Sequence, residues 1–275
     1  MRLLAEGWDN AVWVVDERWL FRFPRRAIAI PGVEREIRVL PRLAPLLPLA
    51  IPMPVFIGHG ADGYPWPFFG AALLPGREAC DAALNDAARN RAAPALAAFL
   101  RALHSSDLAA RIGAAHALPT DPMGRGDMAR RVPSTVEQLS EVQRVGLWRA
   151  PPSTRQLLEA ARALPAPDQL AVVHGDLHFR HLLVDENATA TAVIDWGDLC
   201  RGDPSIDLSL IWSFLPPGGR EAFLAAYGPV TAEQLLRARV LALFLCAALA
   251  VYAHIEGMPA VRREAIEGLA RATVD

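Results

Sequence analysis

Lysine is absent from this chain: all 28 of its Lys-plus-Arg residues are arginine. Every mechanism that normally uses a lysine is restricted accordingly, because arginine is a planar fork and lysine a compact point charge. Cysteine is scarce. Cys80, Cys200 and Cys246 are odd in number and form no C-x-x-C pair, which argues against a disulfide scaffold and against cysteine-based zinc, and fits a reducing cytoplasm. Net charge is small, −2 over 275 residues, so nothing global recruits nucleic acid or an anionic membrane. The start, MRLLAEGWDN, reaches acidic residues too soon for a signal peptide. No apolar run attains the roughly 20 residues of a bilayer span. The longest, Val240 to Ile255, is bordered by Arg237, Arg239, His254 and Glu256, and Thr231 with Gln234 offers a capping box at its start, so it reads as a buried core helix.

What is present is a folded chain, 52% hydrophobic and 21% charged, long enough for one large domain or two lobes. Its first 75 residues read as strand-rich. The runs 11–15 and 19–23 suggest a hairpin about Asp16-Glu17-Arg18, and 51–58 with 64–74 suggest two more strands about Asp62-Gly63. Between them Val33, Ile37, Leu40 and Ala44 keep a helical period that Pro41 is expected to kink or end. Past 73–79 come alanine-rich helical stretches, notably 91–104, then a looser proline-punctuated region from 105 to 167. Helices resume over 204–215, 220–227, 232–254 and 260–272.

The informative stretch is VVHGDLHFRHLLVDENATATAVIDWGDLCRGDPSIDLSL, residues 172–210. His174, Asp176, His178 and His181 suit a metal ion, and extended alternation puts the first three on one side. Dinuclear hydrolases, however, draw further histidines from distant loops, and His59, His104, His116 and His254 sit in no ligand pattern. Phosphoryl transfer instead needs one carboxylate to orient the attacking hydroxyl, a second to hold Mg²⁺, and a further donor to complete the metal sphere. Asp176 is followed five residues on by His181 and nineteen on by Asp195, which ends an apolar strand before Trp196-Gly197. That spacing matches the kinase pattern H-R-D-x-x-x-x-N followed by D-F-G.

These motifs, with WLFRFPRR and EREIRVL upstream, resemble the aminoglycoside and macrolide phosphotransferases over the whole chain. The resemblance implies an α+β, bilobal protein-kinase-like fold: a β-rich nucleotide-binding lobe over 1–75 and a mainly helical lobe over 76–275 with an insert at 105–167. It implies Asp176 as catalytic base, Asp195 as principal metal ligand and His181 as second metal contact. Family members mostly carry asparagine at that last place; the macrolide kinases are similar to this chain in having histidine. Mg²⁺ is the implied cofactor and ATP or GTP the donor.

If the fold is of this kind, Arg22 takes the place of the strand lysine, with Glu36 as its partner and Glu34 as the fallback. Gly7 opens the phosphate-covering hairpin. Backbone groups of Ala71, Ala72, Leu73 and Leu74 are expected to read the base edge, and Phe69 and Leu183 to sandwich the ring. His174, Asp203 and Asp207 are expected to support the catalytic loop, while Asp198 is read by default as a solvated turn carboxylate. The acceptor is a small hydroxylated molecule. The region 105–168 holds eight arginines against seven acids, with no acidic run to pair a polycation. A macrolide-like acceptor is therefore expected, ahead of an aminoglycoside, a metabolic small-molecule kinase or a non-catalytic nucleotide-binding relative. The expected protein is cytoplasmic, a monomer or homodimer, with neither nucleic-acid nor membrane partners.

Overall fold

Strand alternation builds the first lobe. The computed structural model describes residues 1–7, 9–61 and 63–274. Its larger sheet is antiparallel throughout, running β1 (Arg2–Glu6), β2 (Asn10–Val15), β3 (Trp19–Pro24), β5 (Phe68–Ala72), β4 (Phe56–Gly58). Asp16 and Glu17 both take positive φ between β2 and β3, the turn geometry that matches strand twist. Register pairs Val12 with Arg22 and Val14 with Leu20, and Arg22 in turn with Phe69. One face of the sheet therefore carries Val14, Arg22, Phe69 and Ala71 toward the helix α1 (Ile30–Leu43).

Three expectations for this lobe need correction. The strand expected over 51–58 forms only at β4, and that over 64–74 only at β5, because Pro52, Pro54, Pro65 and Pro67 offer no ladder amide. Asp62, of the expected turn, lies outside the described residues. Helix α1 runs past Pro41: the proline leaves the Ile37 carbonyl without its helix amide, but Leu40 and Leu43 on either side are fully buried and that packing holds the last turn in place.

The second lobe begins with β6 (Arg77–Glu78) and α2 (Asp86–Leu103), the latter capped by Asn85 accepting from the Ala88 amide at 2.9 Å. The short α3 (Ser106–Leu108), α4 (Met128–Arg144) and α5 (Ser153–Arg162) follow. The region expected to be loose is thus substantially helical. Asp127 caps α4, the buried stripe Met128, Val132, Thr135, Leu139 and Val142 fixes its inward face, and Pro151 and Pro152 merely precede α5.

Four short strands then carry the central motifs: β7 (Ala171–Val173), β8 (Leu182–Val184), β9 (Ala190–Val193) and β10 (Cys200–Gly202). Helices α6 (Ser205–Phe214), α7 (Pro217–Tyr227), α8 (Ala232–Ile255) and α9 (Pro259–Ala272) complete the lobe. Helix α8 is apolar and long enough, by composition alone, to cross a membrane. In this fold it is a core helix packed on α4, α5, α6 and α9, and the Thr231–Gln234 capping box closes its start. At the α2–α9 contact Arg89 meets Glu264 through two bonds of 2.7 Å, with both side chains buried.

Candidate active site

The site lies where β3 and α1 of the first lobe meet the loops after β7 and β9. Trp196 anchors one of those loops. Its ring is wholly buried against Phe99 and His174, and its indole N–H donates to the Val193 carbonyl at 2.9 Å. With that ring driven into the larger lobe, the preceding Asp195 faces the cleft. Its φ of 65° is left-handed backbone that a non-glycine residue adopts only when its surroundings hold it there. Helix α1 supplies part of that restraint: Arg35 donates to the Gly197 carbonyl at 2.7 Å, and a Cβ on Gly32 would stand 3.0 Å from the same oxygen.

Arg22 reaches Asp195 Oδ1 at 2.7 Å and Glu36 Oε1 at 3.4 Å. Glu34 is exposed, so Glu36 is the partner. Burial disfavours charge on Arg22, but Asp195 and Glu36 more than offset it and hold the guanidinium firmly protonated. Burial raises the Asp195 carboxyl too, yet Arg22 and His181 beside it keep it well below the usual carboxylate range. Glu36 is the opposite case. Burial pushes it up to about 7 against the pull of Arg22.

Across the cleft His181 touches both central carboxylates. Its Nδ1 lies 2.7 Å from the Asp176 carbonyl and 3.9 Å from Asp176 Oδ2, and its Nε2 lies 3.4 Å from Asp195 Oδ2. A carbonyl can only accept, so Nδ1 carries a proton and donates it to the Asp176 carbonyl. The same logic fixes the other two imidazoles. His174 Nδ1 accepts from the Asp176 amide at 3.2 Å, and Nε2–H donates to the Ile194 carbonyl at 3.0 Å. His178 Nδ1 accepts from the Arg180 amide at 3.3 Å, which leaves its Nε2–H toward Asp176 Oδ2 at 3.7 Å. Burial lowers the pKa of both, that of His178 furthest, with His181 as the next cause, and keeps them neutral.

This accounting removes the H-x-D-x-H metal alternative: both nitrogens of buried His174 are already spent. Asp176, His178 and His181 do place ligand atoms close together, but His178 presents a proton there. The donors that fit a divalent cation are His181 Nε2 and Asp195 Oδ2, an imidazole nitrogen and a carboxylate oxygen.

The catalytic loop is suspended from Asp207. Its Oδ2 accepts from the His174 amide at 2.8 Å and from His104 Nε2 at 3.1 Å, and its Oδ1 accepts from the Gly175 amide at 3.0 Å. The Tyr227 hydroxyl lies 2.8 Å from His104 Nδ1 and completes the chain. Asp203 instead accepts from the Ser205 amide at 2.8 Å, just ahead of α6. Asp198 is not a free turn carboxylate, since Arg125 binds its Oδ2 at 2.5 Å. Gly175 lies so near this segment that a Cβ would sit 2.4 Å from the Asp198 carbonyl, and its φ of 92° suits glycine alone.

Other expected positions fare unevenly. The Gly7 amide is spent on the Asn10 carbonyl at 2.9 Å and its own carbonyl accepts from Arg25, so Gly7 offers no anion donor; Trp8 lies outside the described residues. The Leu73 amide is bound to the Arg18 carbonyl at 2.8 Å. Antiparallel phase then turns the backbone groups of Ala72 and Leu74, and not those of Ala71 and Leu73, away from β3. Phe69 is 1% exposed in the core between α1 and the sheet and cannot stack on a ligand. Leu183 lies under the connection between lobes, its Cβ 3.2 Å from where a Cβ on Gly76 would be.

Sequence reading missed Arg125, Arg35, His104 and Tyr227. Arg125 comes from a glycine- and proline-rich loop 51 residues before Asp176, and no local signal marks it. The loop is pinned to β10 by the Asp121 amide on the Arg201 carbonyl at 2.7 Å, while Asp121 accepts the amides of Arg125 and Gly126, each at 2.8 Å.

Solved structures share this fold. The chain superposes on the GDP complex of wild-type aminoglycoside 2'-phosphotransferase-IIIa with a TM-score of 0.69 at 22% identity, covering 98% of this chain and 91% of that one. For the GDP and kanamycin complex of APH(2'')-IIia the values are 0.66, 24%, 98% and 92%. For the macrolide 2'-phosphotransferase MphH from Brachybacterium faecium they are 0.61, 26%, 98% and 91%. None of the curated proteins matches the chain. Residues 1–241 match the phosphotransferase enzyme family, and with most of its length matched this protein belongs to that family.

Proposed function

We propose that the cleft transfers the terminal phosphoryl group of ATP or GTP to a hydroxyl of a small, weakly charged, macrolide-like molecule. The observation that carries this reading is the single imidazole of His181 in contact with both Asp176 and Asp195, with Arg22 on the far side of Asp195. Asp176 receives the acceptor hydroxyl: its carboxylate, steered by His178 Nε2–H, accepts the hydroxyl proton and aims the oxygen at phosphorus. Arg22 meets the donor phosphates with a permanent charge and is itself aimed by Glu36. The backbone of Ala72 and Leu74 offers donors and acceptors to the base edge, with Leu183 beneath it. A divalent cation held by His181 and Asp195, taken from sequence to be Mg²⁺, would supply charge neutralisation at the phosphate oxygens.

Two things support a weakly charged acceptor. Histidine at position 181 is the macrolide-type residue, and residues 105–168 carry eight arginines against seven acids with no acidic run to pair a polycation. Acceptor-dependent nucleotide turnover, measured over a panel of macrolides and aminoglycosides, tests the reading. Turnover with a macrolide, lost in Asp176→Ala, is expected. Nucleotide binding with no turnover for any acceptor would contradict it and favour a non-catalytic relative. Turnover confined to aminoglycosides would overturn the acceptor class alone.

A further inference from the structure

A groove of about 540 Å³ runs between helices α4 and α5, a size that suits one small ligand. Val132, Val136 and Leu139 line it from α4 and Leu158 from α5, with Pro151 and Pro152 in its wall. The three α4 residues follow the i, i+4, i+7 spacing, so a single face of that helix supplies them. Val136 stays 43% exposed although Val132 and Leu139 on either side of it are buried. No residue of this groove is among those that build the cleft at Asp176 and Asp195.

Thr154, in the first turn of α5, also lines the groove. Only 4% of it is exposed, and its hydroxyl has no hydrogen-bond partner among the described residues. A buried hydroxyl left unpaired costs stability, and a ligand that supplies the missing bond recovers it. The helix end at which it sits is bare as well: Pro152 at the N-cap offers no side-chain cap, and the first turn carries no acid. Such an end bears partial positive charge. The charges along the groove lean the same way. Arg155 is paired with Glu159 at 2.9 Å, whereas Arg162 meets no carboxylate among the described residues. A cationic head would find only Glu159, which Arg155 already holds, while an anionic head meets the Thr154 hydroxyl and the positive end of α5. We propose that the α4–α5 groove binds an aliphatic carboxylate, its head on the Thr154 hydroxyl and its chain along Val136, Leu139 and Leu158. The site is separate from the cleft and does not depend on the phosphotransferase reading.

Calorimetric titration of the full-length protein with decanoate, decanol and decylamine, each below its micelle concentration, tests this. Decanoate is expected to bind at a single site at least ~10-fold tighter than decanol, with decylamine the weakest. Thr154→Val keeps the shape and removes the hydroxyl. Its affinity for decanoate should fall about 10-fold while its urea midpoint holds or rises, because the variant loses a polar group that nothing satisfies in the free protein. A hydroxyl that serves the fold alone would give the reverse, a lower midpoint with affinity unchanged, and would overturn the proposal. Val136→Glu, at an exposed position, sets a charge on the path of the chain; it should abolish binding and spare the fold, and it decides the matter if Thr154→Val misfolds. No binding of decanoate, equal affinities for the three probes, or binding that neither variant weakens also overturns the proposal. So does displacement of decanoate by a macrolide, which would make the groove part of the acceptor site.

Discussion

Asp207→Asn probes how the catalytic loop is held. Three buried donors converge on this carboxylate, namely the amides of His174 and Gly175 and the ring of His104. Asparagine keeps one acceptor oxygen and puts an NH₂ where the other oxygen stood, so it faces at least one N–H with another donor. Each orphaned buried donor costs about 1–3 kcal/mol, and loss of the charge weakens the bond that survives. The expected penalty is about 2–5 kcal/mol, a large share of the roughly 5–15 kcal/mol that holds a domain together. The pH dependence carries a second signature. Burial works to raise the Asp207 carboxyl, but the hydrogen bond and charge of His104 with the His174 contacts outweigh it and lower the pKa. A depressed carboxylate contributes stability that is present above its unfolded value of about 3.9 and is lost as pH falls through its folded value. Urea unfolding from neutral to acid pH should show a lower midpoint for the variant at pH 7 and a shallower acid loss than the wild type, and kcat should fall because Gly175 adjoins Asp176. A variant within about 0.5 kcal/mol of wild type at pH 7, or one with an unchanged acid slope, would refute the reasoning.

Asp176→Ala should lower kcat by about 10²–10⁴ while leaving the thermal midpoint near that of wild type, read by coupled nucleotide turnover and calorimetry. Glu264→Ala is the contrasting case: it takes the doubly bonded carboxylate from buried Arg89 and one partner from half-buried Arg271, and leaves both only the more exposed Glu267. A loss of about 3–5 kcal/mol in urea unfolding is expected, with KM values unchanged. Glu36→Gln should remove a pH dependence. Because Glu36 is raised to about 7, it stabilises the wild type most below its unfolded pKa, and that stability declines as pH rises through 7. Comparing the two proteins between pH 4.5 and 8 should show a wild-type decline that the variant lacks.

Chemistry was most legible where residues near in sequence are also near in space. Asp176, His181 and Asp195 lie within twenty residues on consecutive strand ends, so spacing alone brought them together. Arg22 and Glu36 came from the resemblance and not from periodicity, and the packing of α1 on β3 brings them to 3.4 Å. Legibility failed for contacts of long range. Nothing local in DPMGRGD reveals that Arg125 meets Asp198, and nothing in α2 or α7 reveals that His104 and Tyr227 extend the Asp207 network. Backbone assignments also misled. Ladder phase, not composition, decides that Leu73 is occupied where Ala72 is turned away from β3, and a side chain as large as Phe69 is as well suited to the core beneath α1 as to a ligand face. Prolines were read too strongly as breakers: Pro151 and Pro152 only precede α5, while Pro41 and Pro133 sit inside α1 and α4, whose buried faces carry the helix through them.

The most direct measurement is a crystal structure with a non-hydrolysable nucleotide triphosphate analogue and a divalent cation. The account predicts the terminal phosphate between Asp176 and Asp195, within hydrogen-bond reach of Arg22, with the base edge against Ala72 and Leu74. A nucleotide bound elsewhere, or a terminal phosphate that leaves Asp176 and Asp195 on the same side of it, would contradict the account.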